Sequence, residues 1–321
     1  MAPLARAALA LLAVLSAGAC RAPRGRTADR EARAGEAPEG PAAEIVPAQA
    51  QAPSPGSQAP QAGNTWALPD RTQAPWSQTP AAPLGVGERV ASREAGGAHL
   101  RVGTSGGVVH LWTPPGYAPR TAGVVLYLHG YYTNVDQAWA DHRLAQQFRA
   151  SGRNALFVVP ESPSWNGEDV WWPDLDGLLA EVARVSGVTL PRGAVVVMGH
   201  SGAFRTILSW LATDRIDEVV LLDGLYRGED QFQAWLAAAP PDRPRRLLLV
   251  GWETAPRTES WLTSVPDAVQ RDRIPARPPG PHEPDRTASI VYLRSQHDHM
   301  QIVTNGRVMP LMLQLTRLRG T

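Results

Sequence analysis

Ser201 stands in VVVMGHSGAFR (195–205), where a continuous apolar run breaks at Gly199 and resumes beyond Gly202 with helical spacing. A serine hydroxyl is a poor nucleophile until a base takes its proton, and imidazole has the pKa for that work near neutrality. Downstream, SQHDHMQIV (295–303) offers two candidate bases, His297 and His299. A buried carboxylate must then accept the other imidazole N–H and hold its tautomer. Asp223 in VVLLDGLY and Glu253 in LLLVGWE both stand where an apolar run ends, and either could be that acid. The chemistry these types allow is acyl transfer through a serine. The plain alternatives are a structural turn serine at 201 and a turn or helix-capping aspartate at 223.

Composition removes several other chemistries. The chain has 321 residues, 43% of them hydrophobic, enough for one sizeable core. All its basic residues are arginine, so Ser-Lys dyads, Schiff bases and phosphate-loop lysines are excluded. Cys20 is the one cysteine, which excludes an internal disulfide and a thiolate zinc site. His297 and His299 have no clear third ligand, so no metal and no cofactor is expected. A net charge of +1 without a basic block gives no nucleic-acid footprint.

The elements that must position these residues follow from hydrophobic periodicity. Short β-like runs (ERVASRE, AHLRVG, VVHLWTP) lead into the buried run VVLYLH (124–129) and a helix around 137–150. ALFVVP precedes a helix over 174–185, AVVVMG a helix over 203–211, and DEVVLLD a helix over 230–238. RRLLLVG and SIVYLRS follow, with a last helix from about Gly306. Continuous apolar strands alternating with amphipathic helices predict an α/β fold, a mostly parallel sheet covered on both faces. Sites in such sheets lie beyond the C-terminal strand ends, where Ser201, Asp223, Glu253 and His299 all fall.

A serine at a tight strand-to-helix turn, with Ala203 in place of the final glycine, resembles the nucleophile elbow of the α/β-hydrolase superfamily. LYLHGYYTN (126–134) resembles its His-Gly segment, LWTPPGY (111–117) the strand and turn before it, and the order serine, acid, histidine is the family's. The resemblance spans about residues 85–321 and implies a serine hydrolase of esterase type, in which DHM before Ile302 and Val303 makes His299 the preferred base and LLDGLY makes Asp223 the preferred acid, with His297 and Glu253 as their rivals. It also implies an oxyanion hole from the backbone N–H groups of Gly202 and Tyr131. His129 and His200 are read as strand-end packing and pocket lining. The short stretch from Gly224 to Arg245 leaves no room for a large lid. Trp171 and Trp172, in SPSWNGEDVWWPDL (162–175), are expected to touch substrate.

The first 20 residues have Arg6, an apolar stretch over 7–15, then small residues before Cys20, the organisation of a signal peptide. With Ala17 where leucine is usual, this end resembles the lipobox of bacterial lipoproteins; a plain secretory signal is the alternative. Residues 21–83, rich in Ala, Pro, Gly and Gln, read as a disordered tether. The expected domains are thus 1–20, 21–83 and 84–321. The expectation is an envelope serine hydrolase, membrane-anchored through lipidated Cys20 and acting on ester substrates. Its rivals are an amidase or peptidase of the same fold and a non-catalytic lipoprotein using the fold for binding.

Overall fold

The computed structural model describes residues 82–321; the signal-like segment, Cys20 and the linker up to residue 81 lie outside the described residues. Strands β1 (Arg89–Glu94), β2 (Gly97–Thr104) and β3 (Gly107–Thr113) form an antiparallel edge. β3 pairs antiparallel with β5 (Ala155–Pro160), which lies beside β4 (Gly123–Leu128). From there the ladder is parallel through β6 (Val195–His200), β7 (Glu218–Leu222), β8 (Arg246–Gly251), β10 (Ile290–Arg294) and β9 (Val269–Arg271). The spatial order is β1-β2-β3-β5-β4-β6-β7-β8-β10-β9. β4 through β8 are buried along their whole length, which is why they read as unbroken apolar runs rather than alternating ones.

Alternate side chains of each central strand feed two cores. Val124, Leu126 and Leu128 face α3 (Leu175–Ser186), α4 (Phe204–Trp210) and α5 (Glu229–Ala237). Val125 and Tyr127 face α1 (Val135–Asp141), α2 (Leu144–Ser151) and α8 (Val308–Leu315). α6 (Ala255–Leu262) follows β8 on the first face, and the short α7 (Gln301–Thr304) precedes α8 on the second. The link from β7 to β8 carries α5 alone, so no large lid covers the sheet among the described residues.

Four features depart from expectation. The single helix over 137–150 is two, because Arg143 is left-handed (φ 50°, ψ 49°) and turns the chain between α1 and α2. α6 and β9 were not anticipated; α6 has a weak apolar stripe, and β9 has three residues, one half-buried and two exposed. The final helix is preceded by the turn of α7, which lies directly after His299.

Candidate active site

Ser201 leaves the C-terminal end of β6, in the middle of the sheet, with φ +53°. A non-glycine residue in that region is uncommon, and here the turn projects the side chain from the strand end before a 3-10 turn (Ser201–Ala203) leads into α4. The turn is tight on its far side as well. A Cβ on Gly130 would lie 2.8 Å from the Ser201 Cβ, so only glycine lets the loop after β4 approach this closely. A Cβ on Gly202 would lie 2.4 Å from the Tyr131 ring, so only glycine lets that ring pack against the turn. Among the described residues neither the Gly202 nor the Tyr131 backbone N–H has a hydrogen-bond acceptor.

Asp223 leaves the end of β7, also left-handed (φ +48°) and wholly buried. Its Oδ1 accepts from Trp252 N (2.8 Å), Thr254 N (3.0 Å) and Thr254 Oγ1 (2.8 Å), and its Oδ2 accepts from Glu253 N (3.2 Å). His299 Nδ1 completes the set at 2.6 Å from Oδ2. Burial alone would raise the carboxyl pKa, but the His299 hydrogen bond and the backbone N–H donors of Thr254 and Trp252 outweigh it and hold it at about 2. The carboxylate can only accept, so His299 carries its proton on Nδ1 and keeps the Nε2 lone pair. Asp223, Glu253 and His299 also lie close enough to ligate a metal. However, five donors already occupy the two Asp223 oxygens, which leaves no lone pair for an ion.

His299 and Asp223 therefore meet, whereas His297 lines a cleft with Ile274, Gln296 and Arg307. Its backbone, not its ring, is tied, to Ser295 Oγ. Glu253 is close by: its Oε2 lies 3.8 Å from His299 Nδ1 and accepts from Tyr226 OH at 3.0 Å. The buried His200 packs its ring 4.5 Å from that of His299 and donates from Nε2 to the His299 carbonyl (3.1 Å). Burial first, then the proximity of His299 and His142, drives its pKa well below the ordinary value, so it holds the loop as a neutral donor.

Trp172 requires a correction. Its side chain is 8% exposed and packs in the core with Leu175 and Trp210, so it is not a substrate wall. Trp171 is 43% exposed, and its indole N–H donates to Glu168 at 2.8 Å. Six of the eight large exposed hydrophobic side chains among the described residues follow the parallel strands' C-terminal ends: Tyr132, Trp165, Trp171, Tyr226, Trp252 and Met300. They rim the open edge where Ser201 lies.

Sequence reasoning missed three supporting residues. Glu161, at the end of β5, takes His129 Nε2 (2.7 Å) and the Val135 N–H (3.1 Å), which pins both ends of the loop carrying Tyr131. Arg205, one helical turn beyond Ser201, donates to Asn166 O (2.7 Å), Glu168 O (2.9 Å) and Tyr131 OH (3.3 Å), clamping the tryptophan loop over the turn. Tyr226 holds Glu253 as above. A charged residue directly after a buried strand is the signal that could have found Glu161; Arg205 and Tyr226 act across the fold and leave no local pattern.

The strand order, the Ser201 turn at the middle strand and the paired Asp223 and His299 after later strands together make this the α/β-hydrolase fold. No protein-family model and no curated protein matches the chain in sequence. Among solved structures it is similar to a fluorophosphonate-binding serine hydrolase of Staphylococcus aureus (10% identity, TM-score 0.44, covering 70% of this chain and 97% of that one). It is also similar to a mutant feruloyl esterase module from Clostridium thermocellum complexed with sinapinate (11%, 0.49, 75% and 92%). A third is an S-formylglutathione hydrolase from Agrobacterium tumefaciens (12%, 0.44, 72% and 99%).

Proposed function

We propose that the chain is a serine hydrolase that cleaves carboxylic esters, with Ser201 as nucleophile, His299 as base and Asp223 as acid. The observation that carries this is the 2.6 Å contact from His299 Nδ1 to a sealed Asp223, on the same sheet edge as a left-handed serine in a strand-to-helix turn. In the first step the Ser201 Oγ–H bond breaks, its proton passes to His299 Nε2, and Oγ bonds the ester carbonyl carbon. The carbonyl π pair becomes an oxyanion, and the proposed receivers are the N–H groups of Gly202 and Tyr131, neither of which has an acceptor among the described residues. The C–O bond to the alcohol then breaks, and the alcohol leaves with the proton from His299. Water repeats the sequence in reverse, releasing the acid and restoring Ser201. An alkoxide leaving group asks less of the imidazolium than an amine does, and the aromatic rim without a lid admits a bulky acyl or alkyl group.

The test is reaction with a fluorophosphonate probe and turnover of short p-nitrophenyl esters. Both are expected of the wild type and lost in Ser201→Ala. A folded wild type that never reacts would instead support a binding protein built on this fold. The reading extends to location: with Cys20 as the lipidated residue, the segment 21–83 holds the hydrolase at the cell envelope.

A further inference from the structure

We infer that Glu253 is a second acid for His299, kept in reserve by Tyr226, so that two carboxylates serve one imidazole nitrogen. The inference rests on the serine-hydrolase reading above. The two strand ends that could each supply an acid, after β7 and after β8, both do so. Asp223 Oδ2 stands 2.6 Å from Nδ1 and Glu253 Oε2 3.8 Å from the same atom. Their backbones are tied together, since the Glu253 N–H donates to Asp223 Oδ2. Asp223 is sealed, whereas the Glu253 side chain is 30% exposed and has room to turn.

A hydrogen bond from Tyr226 holds Glu253 back. The oxygen nearest Nδ1, Oε2, is the one that accepts the Tyr226 hydroxyl. Two donors compete for it, and the phenol has it while Asp223 satisfies the imidazole. The charged and titratable groups facing this nitrogen are thus Asp223 from β7, Glu253 from the turn after β8, Tyr226 from the loop after β7 and, against the ring face, His200 from β6. Glu253 acts through His299 and is a positioning residue, with no contact to the reacting atoms.

An isosteric change at Asp223 exposes the reserve. In Asp223→Asn the amide has one acceptor oxygen, and three donors (two N–H groups and the Thr254 hydroxyl) face the Oδ1 side against two on the Oδ2 side. The amide oxygen therefore turns to the Oδ1 side, and its NH2 faces His299. Unopposed, this would hold the imidazole in the tautomer with its proton on Nε2, which cannot accept from Ser201. Glu253 offers the carboxylate that keeps the proton on Nδ1.

The experiment measures kcat, KM and fluorophosphonate labelling rate for Asp223→Asn, Glu253→Gln, Tyr226→Phe and their combinations, with Ser201→Ala as the blank. Glu253→Gln alone is expected to cost about threefold in kcat, and about tenfold or more on top of Asp223→Asn, with KM unchanged. Tyr226→Phe also removes a hydroxyl that hydrogen-bonds the Ser201 side chain, a loss common to both backgrounds; it is expected to lower activity with Asp223 present and to raise it severalfold in Asp223→Asn, because it frees Oε2. A mere structural role for Tyr226 would give the same sign in both backgrounds. An equal factor for Glu253→Gln in both backgrounds, or a loss from Tyr226→Phe in Asp223→Asn, overturns the inference. Should Asp223→Asn melt before assay, the Glu253→Gln by Tyr226→Phe cycle with Asp223 intact decides: coupling is expected, and additive losses overturn it. A wild type that takes no label fails the hydrolase reading itself and the inference with it, a result distinct from a labelled enzyme whose cycle is additive.

Discussion

At the scale of single residues, Ser201 was legible because a short motif coincided with a buried strand and a following helix, and the structure adds the left-handed φ of +53° that such a turn requires. The histidine was harder. His297 and His299 are two apart in one loop, and outside a regular element no periodicity says which ring turns inward. The structure separates them through the elements they meet: His299 reaches the Asp223 carboxylate and His297 lines a cleft with Ile274 and Arg307. The expected outcome is that His299→Ala lowers kcat on the order of a thousandfold or more, while His297→Ala stays within about threefold. Steady-state kinetics on p-nitrophenyl acetate checks this, and a deeper loss at His297 would reverse the assignment. The choice between Asp223 and Glu253 was not legible, because both end strands that lie side by side, and sequence separation hides that they converge on one nitrogen.

At the scale of elements, the strands were the most legible part, since burial on both faces forces apolar runs dominated by Val and Leu. Helix boundaries were less so: the break between α1 and α2 depends on Arg143 adopting a conformation that its side chain does not favour. The tryptophan loop shows the same limit at function's edge. Trp171 and Trp172 are neighbours with opposite fates, one at the open rim and one with its carbonyl accepting the buried Trp210 indole N–H (2.6 Å). Trp172→Ala is accordingly expected to destabilise the domain by about 3–5 kcal/mol, as large core truncations do. Trp171→Ala should stay within about 0.5 kcal/mol of wild type, as an exposed substitution does. If Trp171 touches substrate, the same change raises KM for aromatic esters with kcat preserved. Urea melts and a KM comparison separate the two roles, and an unchanged KM would remove Trp171 from the binding surface.

For the molecule as a whole, buried histidines set an acid limit to stability. His99 is lowered to about 4 by burial, with His110 and Arg101 adding like charge, and His142 to about 4 by burial, with His129 adding to it. His99 and His110 lie edge to edge (Nε2 to Nδ1 2.9 Å, planes within 6°) under the Trp139 indole, and the chain ends on Asp136, which Arg101 grips with two hydrogen bonds of 2.6 Å. Asp136 is held at about 2: burial opposes, and the hydrogen bonds of His110 and Arg101 win. A histidine whose folded pKa is depressed binds its proton more readily when unfolded, so its contribution is full above about 6.5 and is lost as the pH falls toward 4. The carboxylates of Asp136 and Asp223 add a second loss from about 4 toward 2, since their folded values also lie below the unfolded ones. Glu218 works the other way, because burial raises it. Melting followed by circular dichroism should therefore show Tm falling by on the order of 5 °C or more between pH 7 and 4. A flat Tm across that window would mean that these histidines protonate without cost.

The last prediction concerns the proposed anchor at Cys20. Every group that builds the site, from Gly130 to His299, lies on the sheet or its loops, and the first strand starts at Arg89. A fragment over 84–321 is therefore expected to fold, stay in solution and react with the fluorophosphonate probe at the full-length rate. The linker sequence offers Ala, Pro, Gly and Gln but no continuous apolar face, so it gives membrane affinity of its own little support. Acyl chains on Cys20 would supply it, at about 0.8 kcal/mol for each methylene buried, and two or more chains anchor stably. The full-length protein expressed in a bacterium that processes lipoproteins should then sediment with membranes and leave them only in detergent. Cys20→Ser should release it or leave the precursor uncleaved, with probe reactivity of the domain unchanged in either case. Wild-type protein found wholly in the soluble fraction after processing would reduce the first 20 residues to a plain secretory signal and leave the hydrolase reading untouched, since the groups from which that reading is argued all lie between Gly130 and His299.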